Sequence, residues 1–149
     1  MSVLRQDPNR GAGERVNETR SRRVKGARAE ALAAASLVRS GWRVLGQNVR
    51  LGRDEVDIVA LDPGPPRRLV LVEVRERGSR GHGLPEESLG VAKRARLRRA
   101  AARLMADEAM DLRVSRGAGL AVDLVVVEWP HGDEAGPAIR HHRDILASE

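Results

Sequence analysis

The sequence predicts an α/β domain in which helices cover one central mixed β-sheet. Two amphipathic helical segments are separated by short runs of β-branched residues. The run 120–129 is almost continuously apolar, which is typical of a strand buried on both faces. A chain of 149 residues suits a single domain, because that length can bury roughly two-thirds of its unfolded surface without disulfides. The predicted order of elements is α-β-β-β-α-β, a small sandwich.

The first half of the domain is predicted to be one helix followed by three strands. The helix begins near Gly26 and ends at Gly41, because glycine is common just past a helix C-terminus. Its buried face consists of small and apolar residues: Leu32, Ala33, Leu37 and neighbouring alanines. The three extended segments are residues 42–51, 55–61 and 69–75. The stretch 62–66 is rich in proline and glycine, so it forms a turn between the last two.

The second half is predicted to add a helix, a strand and a tail. A glycine-rich loop over residues 78–85 precedes a helix of roughly residues 85–110. That helix is predicted to bury one face: Leu97, Ala101, Leu104 and Met105. In the apolar strand, Asp123 needs a partner if it is buried, and an arginine is the expected one. The last segment is expected to be an exposed tail that carries Ile139, His141, His142 and Ile145.

The net charge of +6 is concentrated near the N-terminus. Residues 1–28 carry eight basic and three acidic side chains, whereas residues 29–149 carry nineteen and eighteen. We therefore interpret residues 1–25 as a flexible basic arm and residues 26–149 as the folded domain. A second cluster of six basic side chains, without an acidic one, lies at residues 91–105. Such charge favours polyanionic partners, nucleic acid above all, and a solvated surface is the alternative interpretation.

The composition excludes several classes of protein. The absence of cysteine excludes disulfides, Cys-ligated zinc, iron–sulfur clusters and thiol nucleophiles. The only aromatic residues are Trp42 and Trp129, too few for base stacking to dominate nucleic-acid binding. No apolar run is long enough to cross a bilayer, and the first thirty residues lack the apolar region of a secretory signal. We therefore expect a cytoplasmic protein without a membrane partner, and a homodimer is left open.

The strands 55–61 and 69–75 carry the acidic residues that point to chemistry. In a hairpin centred near Pro65, Asp57 lies opposite Glu73, with Cβ atoms roughly 4.5–5.5 Å apart. The two-residue period adds Glu55 and Arg75 to the same face. The other face of the hairpin is predicted to be wholly apolar: Val56, Ile58, Val70, Val72 and Val74. Opposed carboxylates repel each other unless a cation lies between them, and oxygen ligands suit Mg²⁺ or Mn²⁺.

A divalent ion at this position would give the hairpin a chemical function. The ion can polarise a phosphate oxygen and lower the pKa of bound water. A neighbouring basic group can stabilise the negative charge that develops at phosphorus. The pattern therefore indicates a phosphodiesterase site. The alternative is a set of strand-end charges facing solvent, with an ion pair to Arg75 that contributes little stability.

From about Gly26 to Ile145 the chain resembles the YraN family of small bacterial proteins. The matching segments are Gly26-x-x-x-Glu30, Glu55-Val-Asp57-Ile-Val-Ala, Val72-Glu73-Val-Arg75-x-Arg77 and Ile139-x-His141. Single matches are Gly41, Asn48, Pro85, Lys93 and Asp123. The resemblance implies the restriction-endonuclease-like, or PD-(D/E)xK, fold, a three-layer sandwich. It also implies a metal-dependent endonuclease that acts on DNA, with branched or repair intermediates as candidate substrates.

The resemblance assigns roles to the matching residues. Asp57 and Glu73 would be the metal ligands, and Glu30 would be an accessory carboxylate from the first helix. We add Glu55, which shares the strand face of Asp57, as a further metal ligand. Position 75 would hold the basic catalytic residue. We further predict that basic side chains near the site contact phosphates: Arg77, Lys93 and Arg96.

Three positions depart from the family pattern. Ala29 and Asp54 replace glycines, and Arg75 replaces the motif lysine. Arginine stays charged, so Arg75 can stabilise a transition state but cannot serve as a general base. The chain contains 25 arginines and two lysines, so arginine is its usual basic residue and Arg75 can be a neutral substitution. Alternatively, Arg75 marks a loss of catalysis, or Lys93 has taken over the role of the motif lysine. A solvated helix face is the alternative interpretation of Lys93.

These alternatives leave three functions open. The first is a metal-dependent endonuclease. The second is a nucleic-acid-binding module of the same fold without turnover, in which Arg75 marks lost catalysis. The third is an interaction protein whose basic arm contacts an acidic partner.

Overall fold

The computed structural model describes residues 26–65, 67–77, 89–106, 120–130 and 136–147. The described elements are α1 (26–39), β1 (Arg43–Leu51), β2 (Asp54–Leu61), β3 (Leu69–Arg77), α2 (Val91–Ala106), β4 (Leu120–Glu128) and β5 (Ala138–His142). The predicted α/β class is confirmed. A strand, β5, stands where the sequence predicted a tail. The predicted arm (1–25) and the glycine-rich loop (78–85) lie outside the described residues.

The five strands form one mixed sheet in the order β1-β2-β3-β4-β5. Strands β1, β2 and β3 are antiparallel neighbours, β4 runs parallel to β3, and β5 is antiparallel to β4. Parallel neighbours need a crossover connection, and α2 lies in the connection from β3 to β4.

The two helices pack on opposite faces of this sheet. Helix α1 contributes to a buried cluster that includes Ile58 and Val72, whereas α2 contributes to one that includes Val59 and Leu71. Consecutive residues of a strand face opposite sides, so the two clusters lie on the two faces. The domain is therefore a three-layer sandwich, as predicted. No helix in the described ranges is long and apolar enough to cross a membrane.

Helix α1 ends at the predicted glycine. The Trp42 amide donates to the Leu37 carbonyl at 3.0 Å, and the Gly41 amide donates to the Val38 carbonyl at 3.1 Å. This is the Schellman arrangement, in which the residue after the helix adopts a left-handed conformation. Gly41 has φ +87°, and Trp42 packs with Leu37 in the same buried cluster.

Helix α2 differs from its prediction in its start and in its buried face. It begins at Val91, and the preceding residues 89–90 are not helical, so the predicted start near residue 85 was wrong. The buried face consists of Leu97, Ala100 and Leu104. Met105 is 47% exposed, because a residue eight positions after Leu97 lies about 80° away from it around the helix.

The β2–β3 hairpin has the predicted register over its closed part. Leu61 pairs with Leu69, and the ladder continues to Ile58 opposite Val72. Beyond that pair the strand alternation is interrupted, because Val56 packs in the same cluster as Val59. The predicted single apolar face that joined Val56 to Ile58 was therefore wrong. The sheet opens at this point, where Asp57 and the residues after Val72 lie.

Candidate functional site

An open pocket of about 350 Å³ lies where β2 separates from β3. Helix α1, strands β2 and β3 and helix α2 all contribute to its lining: Gly26, Ala29, Glu30, Glu55, Asp57, Glu73, Val74, Glu76, Lys93 and Arg96. Five of these side chains are carboxylates and two are cations, so the lining carries a formal charge of −3 when all are ionised. Such an excess of one sign in a partly buried site needs a compensating cation or bound protons.

Asp57 is held at the opening of the hairpin by the backbone of β3. Its Oδ2 accepts a hydrogen bond of 2.8 Å from the Val74 amide, which takes the place of a strand pairing at this position. Burial and the neighbouring charge of Glu73 raise the pKa of Asp57 to about 7, although the Val74 bond opposes the shift. The structure therefore brings Asp57 and Glu73 together, as the hairpin predicted.

Glu73 is the most deeply buried carboxylate of the pocket, with 3% of its surface exposed. The ammonium of Lys93 contacts its Oε1, and Arg96 Nη2 lies 3.7 Å from the same oxygen. Its other oxygen, Oε2, is buried and accepts no hydrogen bond within the described part of the chain. A buried carboxylate oxygen without a donor is costly, so Oε2 is a ready ligand for a cation.

Glu30 enters the pocket from helix α1. Burial raises the pKa of Glu30, and the charges of Glu55 and Glu73 act in the same direction. The hydrogen bond with the Asn48 side chain opposes the shift, and Asp57 is also within hydrogen-bonding reach. Asn48 has φ +50° in strand β1. The resemblance matched Asn48 without assigning a role, and its side chain lies within hydrogen-bonding reach of Glu30.

Two further acidic residues line the pocket. Glu55, predicted as a metal ligand, is exposed at its edge. Glu76 was not predicted, because the two-residue period places it on the strand face opposite Glu73. Its Oε2 accepts a hydrogen bond of 3.1 Å from the Trp129 indole. Arg28 in turn lies over the Trp129 ring, 4.9 Å from its centroid, which ties the start of α1 to the end of β4.

The basic residues predicted for the site separate into two groups. Lys93 and Arg96 line the pocket against Glu73, so the alternative of Lys93 as a solvated helix face was wrong. Arg75 and Arg77 do not line the pocket. By strand alternation Arg75 shares the strand face of Glu73, but its side chain is not among those that line the pocket. The catalytic role of Arg75 stays a prediction.

The donor set fits a small divalent cation that keeps several water ligands. Mg²⁺ prefers oxygen ligands and usually takes only one or two carboxylates from a protein. Asp57 and Glu73 supply two, and the unpartnered Oε2 of Glu73 faces no competing donor among described residues. No group of three or more His, Asp or Glu side chains in the described ranges is arranged to hold a metal ion alone. A two-carboxylate site completed by water fits both observations, and the ligand role of Glu55 stays a prediction.

Asp123 belongs to a separate, structural network. It is fully buried, and its Oδ2 accepts hydrogen bonds from Arg143 Nε at 2.9 Å and His141 Nε2 at 2.8 Å. The predicted pairing with an arginine is confirmed. His141 packs on Trp42, with ring centroids 5.3 Å apart, so it belongs to a strand of the sheet instead of a tail, although the residue is exposed.

Comparisons with known proteins place the chain in a family. The model of the uncharacterised protein family UPF0102 matches residues 29–127, which include all the pocket residues from α1, β2, β3 and α2 except Gly26. A UPF0102 protein of Arthrobacter sp. (strain FB24) is 39% identical over 127 residues, covering 85% of this chain and 98% of the relative. A UPF0102 protein of Moorella thermoacetica is 46% identical over 84 residues, covering 56% of this chain and 68% of the relative. A third, from Sorangium cellulosum, is 43% identical over 84 residues, covering 56% of each chain. The chain therefore belongs to the UPF0102 family, which is the YraN family that its motifs resembled.

Proposed function

We propose that this protein is a metal-dependent endonuclease that hydrolyses phosphodiester bonds in DNA. The observation that carries the proposal is the convergence of Asp57 and Glu73, with Glu30 beside them, in one open pocket that also holds Lys93 and Arg96. Carboxylates that bind a divalent ion next to cations that bind phosphate are the groups that phosphodiester hydrolysis requires. Branched and repair intermediates are the first substrates to test.

The charge of the pocket supports a bound cation. With three more carboxylates than cations, the lining repels a polyanion unless positive charge is added. The raised pKa of Asp57 has the same origin, because the ionised form lies in a buried site beside Glu73. A divalent ion on Asp57 and Glu73 would compensate both effects, with Mg²⁺ or Mn²⁺ as the ions that suit these ligands.

Five of the pocket residues then have a role in hydrolysis. The ion, once bound by Asp57 and Glu73, supplies Lewis acidity at the phosphate and lowers the pKa of water. Glu30 is held by Asn48, and its raised pKa makes it a proton acceptor that orients the attacking water. Arg96 and Lys93 place positive charge beside the phosphate oxygens.

Lys93 is the basic group that takes the place of the motif lysine. It contacts Glu73 from helix α2, whereas Arg75 lies outside the pocket lining. From helix α2, Lys93 brings its ammonium to Glu73. A lysine at position 75, two residues after Glu73 on β3, would approach the same carboxylate. Under this proposal Arg75 is a neutral substitution, because its position no longer carries the catalytic charge.

A non-catalytic nucleic-acid-binding module is the second candidate, and the Lys93 contact is the observation that favours it. The ammonium of Lys93 compensates the charge of Glu73 without any metal ion. In that case the protein binds DNA but has no use for a divalent ion.

Cleavage of labelled linear, nicked and four-way-junction DNA with Mg²⁺ or Mn²⁺ tests the proposal. We expect wild type to cut, and Asp57→Asn and Glu73→Gln to lose at least about 100-fold in rate, since each removes an ion ligand. Glu128→Gln is the matched control, because it removes a half-exposed strand carboxylate outside the pocket and should keep full activity. Salt-dependent DNA binding by wild type without cleavage under any of these conditions would favour the binding module.

Two variants separate the roles of Lys93 and Arg75. We expect Lys93→Met to lose rate by about 100-fold, in the range of a single electrostatic catalytic group. Arg75→Lys should leave the rate unchanged. A large gain on Arg75→Lys would show instead that position 75 is a damaged catalytic position.

A further inference from the structure

A second, basic cleft lies at the tip of the β1–β2 hairpin. It has a volume of about 310 Å³ and is lined by Arg50, Leu51, Gly52, Arg103 and Ala106. Strand β1 and the hairpin turn provide one wall, and the last turn of α2 provides the other. Both ionisable side chains of the lining are arginines, so this cleft is cationic whereas the carboxylate pocket is acidic.

Arg103 is pre-arranged in the cleft by the absence of a side chain at Gly52. A Cβ atom at Gly52 would overlap the Arg103 guanidinium, so the guanidinium packs directly on the turn backbone. Gly52 also has φ +67°, a left-handed conformation that glycine adopts without strain. A cation held against backbone loses less conformational freedom on binding than one that extends into solvent.

Arg50 and Arg103 differ in their partners from several other cations that α2 carries. Lys93 and Arg96 contact Glu73, and Arg99 Nη2 lies 3.3 Å from Asp54 Oδ1. Neither Arg50 nor Arg103 forms an ion pair with another residue of the described ranges. Their positive charge is therefore available to a ligand, whereas much of the charge on the rest of that helix face is compensated internally.

The cleft and the carboxylate pocket lie along one path. Arg50 is the direct strand partner of Glu55, which lines the carboxylate pocket. Lys93 and Arg103 are ten residues apart on α2, which corresponds to about 15 Å along the helix axis. One strand of duplex DNA rises about 3.4 Å per nucleotide, so the path spans about four nucleotides.

The geometry points to a phosphate-binding subsite at Arg50 and Arg103 that holds the backbone of a nucleic-acid strand about four nucleotides from the carboxylate pocket. The inference rests on the proposed function for its ligand, because the strand held there is the one that enters the pocket. Backbone contacts of this kind position a strand without reading its sequence. The subsite would set the minimum length of a well-bound substrate.

Salt-dependent binding of the full chain to a fluorescein-labelled 20-base-pair DNA tests the subsite. Ca²⁺ replaces Mg²⁺ in this assay, because it compensates the pocket carboxylates but does not adopt the tight octahedral geometry of Mg²⁺. Each phosphate contact contributes about 0.9 to the slope of log affinity against log salt. We expect the pair Arg50→Gln and Arg103→Gln to reduce the slope by about 1.8. Extrapolated from 1 M salt, that slope corresponds to roughly 60-fold weaker binding at 0.1 M. Thermal unfolding checks that each variant is folded.

The matched control removes the same charge elsewhere. Arg39 and Arg43 are exposed, and Arg43 lies at the other end of β1, about 23 Å from Arg50. We expect Arg39→Gln with Arg43→Gln to leave the slope within about 0.5 of wild type. Gly52→Ala keeps both cleft cations but displaces Arg103, and we expect it to weaken binding by part of the full effect.

The outcomes separate this subsite from the proposed hydrolysis. The subsite is refuted if the cleft pair and the control pair lose the same slope, or if neither pair loses any. It is also refuted if wild type binds no DNA at low salt. If wild type cuts DNA while the cleft pair keeps the full slope, only the subsite is refuted. If the cleft pair reduces the slope but wild type cuts nothing, only the hydrolysis is refuted.

Discussion

Asp57 should make the stability of the folded chain fall as pH rises. Burial and the charge of Glu73 raise the pKa of Asp57 from its usual value of 3.8 to about 7. At a pH between these two pKa values, Asp57 holds a proton in the folded state that it has released in the unfolded state. Stability is therefore present at low pH and is lost as pH rises through 7. A difference of three pKa units corresponds to about 4 kcal/mol, of which about 3 kcal/mol falls between pH 5 and pH 8.

Urea unfolding at pH 5 and pH 8, in EDTA, measures this contribution. We expect wild type to be less stable at pH 8 by up to about 3 kcal/mol, and Asp57→Asn to lose most of that difference. Glu30, whose pKa is also raised by burial, accounts for a remaining slope of the same sign. Subtracting the pH dependence of Asp57→Asn from that of wild type cancels the contributions of titrating groups that do not interact with Asp57.

Asp62→Asn is the control with the opposite sign. Burial opposes ionisation of Asp62, but the Gly64 amide and the Arg143 guanidinium outweigh it and hold the pKa of Asp62 below its usual range. Its contribution is present above about pH 4 and is lost as pH falls further, so Asp62→Asn should not change the difference between pH 5 and pH 8. An equal pH dependence in wild type and Asp57→Asn would refute the argument from burial.

The same experiment with Mg²⁺ links stability to the proposed metal site. An ion that binds the ionised carboxylates stabilises wild type at pH 8, by about 2.7 kcal/mol at 100 times its Kd. Asp57→Asn should lose most of this gain, because it lacks one of the two proposed ligands.

Four variants test the packing around the site. Asp123→Asn should lower the free energy of unfolding by about 2–4 kcal/mol in urea, because it removes a fully buried charge that accepts several hydrogen bonds. Gly41→Ala should cost about 1–2 kcal/mol from its positive φ alone, since a Cβ has room there. Gly52→Ala should cost a similar amount for the same reason, because the flexible Arg103 side chain can move aside. Trp129→Phe should lower the thermal midpoint by the equivalent of about 1 kcal/mol or more, since the indole donor to Glu76 is lost and the contact with Arg28 is weakened.

The sequence by itself determined the features that arise between near neighbours. The hairpin register near Pro65 followed from the length of the turn, and the pairing of Leu61 with Leu69 confirms it. The end of α1 followed from Gly41, because few other residues adopt its conformation without strain. The apolar run of β4 predicted burial on both faces, and seven of its nine residues are buried. The motif carboxylates Asp57 and Glu73 could be placed together for the same reason, as they belong to one hairpin.

Only the tertiary structure decided which distant side chains join those carboxylates. Lys93 is 20 residues from Glu73 in the chain, and no local pattern distinguishes it from a solvated residue of the same helix. Its place depends on how α2 crosses the sheet. The period of a strand or helix predicts which residues share a face, but contacts between elements depend on packing angles and on strand irregularities. The acidic pair was therefore visible in the sequence, whereas its cationic partners were settled by the way the helix packs on the sheet.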